Sequence, residues 1–296
     1  MFGSFFYPVS GMSVTIRSLH FYPIKSCAGT SVRHAVVDGA GLAWDRRWLV
    51  VGENGIFMTQ RGFPRMALIV PTVQDDVLRI QAPGMDDLFI GLDAGRDQPE
   101  EKVVVWRATL AAHPVGSEAA RWFSEVLGVP CSLYRVAEPL ERLPDDAFVQ
   151  PWVDTFGEEA GQTHEFAFAD GFPLLVANQA SLDALNERLQ AAGHAPVPMD
   201  RFRPNIVIDG LEAFDEDHVA WLDFAGMRLG LIKPCTRCTV PDVDQATGQP
   251  GMEPGQTLAQ FRRFDAGVMF GQNAIVAAGA GAILAVDDEG EFEYAF

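Results

Sequence analysis

The chain has 296 residues, 48% hydrophobic and 21% charged, a composition that excludes a disordered chain and leaves room for two globular domains. With 40 acidic against 22 basic residues the net charge is −18, a surface that repels phosphate backbones and anionic lipid, so neither nucleic acid nor membrane is expected as a partner. No apolar run approaches the roughly 20 residues needed to cross a bilayer, and four cysteines in this length fit a reducing, cytoplasmic setting.

The apolar start at residues 1–7 has neither a basic segment nor a cleavage site, so it does not read as a signal peptide, and Met12 would serve equally as the initiator. Residues 14–21 read as a strand. Residues 47–51 and 56–58 flank the turn Gly52, Glu53, Asn54, Gly55, which predicts a hairpin. A second hairpin is expected from 66–70 and 77–80 around Gln74, Asp75 and Asp76. Closely spaced strands of this kind make a small barrel or sandwich. A helix is expected over 118–127, stopped by Gly128, and Cys131 follows in an apolar strand, where a core role suits it. Residues 138–161 hold proline, acidic residues and little periodicity, and are expected to connect two domains. A second helix is expected over 180–192 with Leu182, Leu185 and Leu189 on one face and Gly193 at its end. Strands then follow at 205–208, 219–222 and 227–232, a short helix at 257–264, and strands at 268–270 and 274–277.

The strand at 227–232 runs into Lys233, Pro234, Cys235, Thr236, Arg237 and Cys238, which places two thiols beside two cations. Thiolates ligate soft metals, and nearby positive charge raises the thiolate fraction. A structural zinc site needs four ligands, and no second Cys-x-x-Cys or His pair accompanies this one. A thioredoxin-type centre would begin a helix, whereas Thr239, Val240 and Pro241 continue as extended chain or turn. Residue types alone leave three readings: metal or cofactor ligation, a redox pair, and structural cysteines.

Five segments in fixed order break the tie: residues 21–27 (Phe-Tyr-Pro-Ile-Lys-Ser-Cys), 45–50 (Asp-Arg-Arg-Trp-Leu-Val), 201–208 (Arg-Phe-Arg-Pro-Asn-Ile-Val-Ile), 233–238 and 270–272 (Phe-Gly-Gln). Together they resemble MOSC-domain proteins, in the group with an N-terminal MOSC β-barrel domain that includes the mitochondrial amidoxime-reducing component. The similarity runs from about residue 14 to residue 286. It implies a mainly β, α+β architecture: an N-terminal barrel-like domain over 13–137, then a mixed β-barrel MOSC domain with peripheral helices over 138–296.

The resemblance further implies an enzyme that uses the molybdenum cofactor, independent of pyridoxal phosphate, with Cys238 as the protein ligand to the metal and the catalytic residue. Cys235 then stands beside the ligand. Lys25, Arg46, Arg203 and Asp170 fall on positions that contact the cofactor in the family, and Ser26, Gly171 and Asn205 beside them are expected to contact it through a hydroxyl, a backbone N–H and a side-chain amide. Their chemistry suits such contacts, since arginine grips phosphate with a planar fork, lysine supplies a compact charge, and asparagine both donates and accepts. After Asp170 this chain departs from the eukaryotic pattern, because Gly171 and Phe172 replace hydroxyl residues and leave only backbone N–H groups to offer. Arg47, Arg61, Arg65 and Arg237 could add positive potential or pair with surface acids.

The activity implied is reduction of N-hydroxylated compounds, amidoximes and hydroxylamines, with electrons from a separate ferredoxin, flavodoxin or cytochrome b5-like protein and its reductase. No Cys-x4-Cys-x2-Cys ferredoxin pattern follows the MOSC-like segments. Two alternatives belong to the same resemblance: a carrier of persulfide sulfur, and a non-catalytic cofactor-binding protein.

Overall fold

The computed structural model describes residues 13–295, so the readings of the N-terminal start and of Met12 lie outside the described residues. The first segment contains β1 (Ser13–Phe21), β2 (Thr30–Val32), β3 (His34–Asp38), β4 (Gly41–Leu42) and β5 (Trp48–Gly52). β6 (Val70–Gln74), β7 (Val77–Gln81), β8 (Leu88–Gly91), β9 (Glu101–Val105) and β10 (Ala108–Pro114) follow, then α1 (Ser117–Leu127), β11 (Cys131–Val136) and α2 (Asp146–Phe156). The remainder is β12 (Leu174–Asn178), α3 (Gln179–Ala191), β13 (Ile206–Asp209), β14 (Val219–Phe224), β15 (Met227–Thr236), α4 (Gly255–Phe261), β16 (Arg263–Phe264), β17 (Gly267–Ala278), β18 (Ile283–Ala285) and β19 (Glu289–Tyr294).

Seven strands close into a barrel in the order β12-β13-β1-β19-β14-β15-β17, with β17 pairing back to β12. Only the β12–β13 contact in this circuit is parallel. Along β1 the buried positions are Val14 and Ile16, then Leu19 and Phe21. The change of phase sits at a register shift between Ile16 and Ser18, where one extra residue keeps apolar side chains facing inward. These residues join Val176, Ile208, Leu222, Leu229 and Val276 in the barrel core. The fold is mainly β with peripheral helices, as the family resemblance implies. β1, from the N-terminal end of the chain, is a stave of the barrel that the C-terminal half completes.

A second sheet, β5-β11-β10-β9, and a three-stranded one, β6-β7-β8, cover α1. Their shared core holds Trp48, Val50, Leu78, Ile80, Phe123 and Leu133. Both amphipathic helices form where their periodicity places them: Gly128 takes φ 70 as the cap of α1, and Gly193 takes φ 83 just past α3.

Local expectations fail at four places. Residues 66–70 are not a strand: Pro64 presets a short 3-10 turn, Pro64–Leu68, and β6 starts only at Val70. The tight turn at Asp75 and Asp76 is nonetheless there, with Val77 opposite Gln74. Residues 138–161 are not a plain connection but contain α2, capped by the Asp145 carboxylate on the Ala147 N–H (3.0 Å). Pro151 hides this helix from a propensity reading. Its Trp152 lies where Gly230 of β15 lacks a side chain, since a Cβ there would come 2.7 Å from the indole, and it donates to the Ala220 carbonyl (2.8 Å). Residues 257–264 divide between α4 and β16. The strands expected at 268–270 and 274–277 are one strand, β17, bent at Gly271 with φ 75. A Cβ at Gly271 would meet the Val176 carbonyl oxygen at 2.8 Å, so the bend requires glycine. Gln272 of the same motif is buried and donates to Asp217 Oδ1 (2.6 Å), a structural bond. β15 carries Pro234 inside it, made possible by register shifts against β17 on either side.

Glu216 is wholly buried against the start of α3, where its carboxylate accepts from Ser181 Oγ (2.7 Å) and Asn178 Nδ2 (3.2 Å). Burial outweighs these donors and pushes its pKa up to about 7 from an ordinary 4.5. The native state therefore holds this proton more tightly than the unfolded chain. Its stabilising contribution is complete below the unfolded value and is lost as pH rises through about 7. Between about pH 4 and pH 8 the wild type should lose roughly 3 kcal/mol more than Glu216→Gln, read from urea unfolding at each pH. Parallel pH profiles for the two proteins would refute this.

Among the described residues no helix is long and apolar enough to cross a membrane.

Candidate functional site

One cleft gathers the turn after β1, the turn before β5, the loop before β12, the residues before β13 and the end of β15. It contains Lys25, Ser26, Arg46, Asp170, Gly171, Arg203, Cys235, Arg237 and Cys238. Four of its non-glycine residues adopt positive φ: Ser26 (67°), Arg46 (48°), Trp106 (57°) and Arg203 (57°). Backbone strain of this kind persists only where the surrounding structure enforces it, and it concentrates at working surfaces.

The cations are built in from the backbone upward. The Lys25 N–H bonds to the Trp48 carbonyl (2.9 Å), and the Arg46 N–H to that of Tyr22 (2.8 Å), which stitches the two turns together. Arg203 ends the 3-10 turn Met199–Phe202. Tyr22 is buried with two guanidinium groups against its ring, Arg46 Cζ 4.5 Å and Arg203 Cζ 4.2 Å from the centroid. Arg46 is satisfied: it donates to Asp45, to Asn205 Oδ1 (3.0 Å) and to the Arg203 carbonyl (3.3 Å). Arg203 is not. Both of its terminal nitrogens are buried and unpartnered, and a buried donor without an acceptor costs free energy.

Lys25 Nζ donates to the Phe168 carbonyl (2.7 Å) and to Asp170 Oδ1 (2.5 Å). Desolvation lowers the Lys25 pKa, and Asp170 opposes that shift. For Asp170 the cleft's desolvation acts upward, but the Lys25 charge and bonds from Lys25 and Trp106 overcome it, so the carboxyl sits well below its usual range. The carboxylate itself stands at the mouth, 73% exposed. Arg142 fastens the loop beneath it by donating to the carbonyls of Ala167 (3.1 Å), Ala169 (2.5 Å) and Asp170 (3.2 Å).

Cys238 is exposed, while Cys235 is half-buried with its sulfur accepting from Arg237 Nη1 (3.1 Å). The loop that follows is tied down by Arg201, which donates to the Pro241 carbonyl (3.1 Å) and Asp244 Oδ2 (2.6 Å), and by the pairing of Gln245 with Gln60. Gln60 in turn donates to the Ser26 carbonyl (2.9 Å), joining the two sides of the cleft. Cys27 and Cys131 are buried. Burial pushes the Cys27 thiol up to about 12 and raises that of Cys131, so both are protonated packing residues. Among the described residues no three His, Cys, Asp or Glu side chains are placed to hold a metal ion by themselves.

Of the residues expected to contact the cofactor, Asn205 does not line the cleft. It is 1% exposed, and its amide accepts from Arg46 and from the Leu175 N–H (3.1 Å) and donates to the His20 carbonyl (3.3 Å), so it aims Arg46 from behind. Arg61 and Arg237 line the cleft, whereas Arg47 pairs with Asp38 (3.1 Å) and Arg65 is exposed elsewhere. Sequence reasoning missed Tyr22 as the ring that two guanidinium groups rest on, Arg142 as the clamp on Asp170, and Trp106. Tyr22 lay inside a motif already noticed; Arg142 and Trp106 sit in segments that meet the cleft only after folding.

Two family descriptions match this chain, the MOSC N-terminal beta barrel domain over residues 13–130 and the MOSC domain over residues 163–291. The chain belongs to the MOSC family. Mitochondrial amidoxime reducing component 2 of Rattus norvegicus is 32% identical over 259 residues, 86% of this MOSC protein and 74% of the relative. Mitochondrial amidoxime-reducing component 1 of Mus musculus is 33% identical over 256 residues, 85% and 72% of the two chains. Molybdenum cofactor sulfurase of Bos taurus is 30% identical over 263 residues, covering 84% of this chain but 29% of the sulfurase. The cleft draws on both matched MOSC segments: Lys25, Ser26 and Arg46 lie in the first, and Asp170, Arg203 and Cys238 in the second.

Proposed function

We propose that this MOSC protein holds the molybdenum cofactor in the cleft and reduces N-hydroxylated compounds, amidoximes and hydroxylamines, to amidines and amines. The observation that carries the reading is the Arg203 guanidinium, buried with two free donors in the same cleft as the exposed thiol of Cys238. A pterin with a phosphate tail and a dithiolene-held metal fits this donor set. Arg203 and Arg237, whose Nε is also buried and unpartnered, supply hydrogen bonds. Lys25 and Arg46 supply charge, the Ser26 hydroxyl a further polar contact, and Cys238 the single protein sulfur. At Gly171 the space a Cβ would fill is open, which lets a flat ligand approach the backbone.

When bound, the cofactor supplies the two-electron chemistry that breaks the N–O bond. The balance for an amidoxime is one substrate, two electrons and two protons in, one amidine and one water out. The electrons come from a separate donor protein: a ferredoxin, a flavodoxin, or a cytochrome b5-like protein with its reductase. The protein's own residues anchor and orient. Arg203 and Lys25 neutralise anionic charge, Asn205 and Asp45 hold Arg46 in place, and Arg142 fixes the Asp170 loop. No side chain is required as a general base.

The test is metal analysis of protein made in a molybdopterin-producing host, followed by turnover of benzamidoxime with reduced viologen. Near-stoichiometric molybdenum and benzamidine formation are expected. Cyanide-labile sulfur on the protein without molybdenum would instead make it a sulfur carrier. Molybdenum without turnover under any donor would make it a cofactor-storage protein.

A further inference from the structure

β9 and β10 are joined by only two residues, Trp106 and Arg107, because Val105 pairs directly with Ala108. Trp106 occupies the first central position of that turn with positive φ, a place that favours glycine. A bulky aromatic side chain there is strained, and no core burial compensates, since Trp106 remains 45% exposed. Three contacts nevertheless hold the indole still. Its Nε1 donates to Asp170 Oδ1 (2.9 Å), its ring meets Phe57 edge-on (5.1 Å between centroids), and Arg61 Cζ lies 4.5 Å from the ring centroid.

The charge at this spot is as unusual as the conformation. Arg61 and Arg107 are both exposed, and among the described residues neither forms an ion pair, in a chain where acids outnumber bases 40 to 22. Asp170, the nearby carboxylate, is already engaged by Lys25. Trp106, Arg107, Arg142 and Asp170 form an open shelf that continues from the cleft. The buried cations Lys25 and Arg203 line the cleft, whereas Arg61 at its rim and Arg107 on the shelf are exposed to solvent.

We propose that Trp106 and its two flanking arginines form a substrate-selecting wall, which stacks a planar group and attracts a negatively charged substituent on it. The preferred substrates are then planar N-hydroxylated compounds bearing a carboxylate or phosphate. This rests on the reductase reading above, and it goes further by assigning the substrate class to particular residues.

The experiment compares kcat/KM for benzamidoxime and 4-carboxybenzamidoxime in molybdenum-loaded wild type, Arg61→Gln, Trp106→Ala and Trp106→Phe. Wild type should favour the carboxylated compound by about tenfold, a preference that falls with added salt, and Arg61→Gln should bring the ratio close to one. Trp106→Ala should raise KM for both compounds about tenfold with kcat little changed, and Trp106→Phe should recover most of the loss. Molybdenum content should be the same in all four proteins. A wild-type ratio near one, a ratio that survives in Arg61→Gln, or loss of molybdenum in Arg61→Gln overturns the proposal; the last would place Arg61 on the cofactor. If loaded wild type turns over neither compound, the reductase reading fails. Calorimetric binding of 4-carboxybenzamidine against benzamidine then still reads the wall: an anion preference lost in Arg61→Gln upholds it, and equal affinities refute it.

Discussion

Cys238→Ala should lose at least about a thousandfold in kcat/KM for benzamidoxime, equivalent to some 4 kcal/mol of transition-state stabilisation, whereas Cys235→Ala should stay within about tenfold of wild type. The two thiols lie three residues apart in one cleft, so proximity does not separate them; their partners do. Cys235 Sγ already accepts from the Arg237 guanidinium at 3.1 Å and is half-buried. Cys238 is exposed to the cleft, and among the described residues no side chain bonds to its sulfur. A free thiol in a cationic surrounding is the one prepared to bond a soft metal. Molybdenum per chain, measured on both variants beside wild type, separates loss of ligation from loss of fold. Equal loss of activity in the two variants would remove the assignment of Cys238 as the ligand.

Arg203→Met should have opposite effects on cofactor and on apoprotein. Two buried guanidinium nitrogens without partners carry a desolvation cost that no protein acceptor repays. Stacking on Tyr22 offsets part of that cost, while Arg46 on the same ring adds like-charge repulsion. Methionine keeps much of the volume and discards the charge, so the apoprotein should gain about 1–3 kcal/mol in urea unfolding. Retention of molybdopterin should fall about a hundredfold, because charge-assisted bonds to a buried anion contribute roughly 2–3 kcal/mol. The quantities to measure are pterin content after gel filtration and the unfolding midpoint of cofactor-free protein. A variant that is less stable as apoprotein and retains its pterin would show that Arg203 is structural.

Much of this cleft was legible before folding, because its chemistry is carried by residue types inside short, ordered segments. Lys25, Arg46, Arg203 and Cys238 each stand in a turn at a strand boundary, and the chain brings all of them to one place. Asn205 was legible as a polar group of the same site but not as the support of Arg46, since a side chain's direction depends on which strands neighbour it. Trp106 was not legible at all. A tryptophan after three valines reads as another strand residue, and only the pairing of Val105 with Ala108 turns it outward into a two-residue turn. The missed helix α2 has the same cause: Pro151 argues against a helix locally, while burial of Trp152 against the glycine at position 230 favours one in three dimensions.

The sequence by itself determined the local punctuation and the reactive groups: the caps of α1 and α3, the turn at Asp75 and Asp76, the core role of Cys131 and the pair of thiols beside cations. These depend on backbone sterics and on the chemistry of one residue and its neighbours, which no distant contact alters. Tertiary structure alone decided that β1 becomes a stave between β13 and β19, that β17 bends at Gly271 to close on β12, and that Arg203 is left with two unanswered donors. Barrel closure and desolvation depend on atoms far apart along the chain, and their energies exist only once those atoms meet.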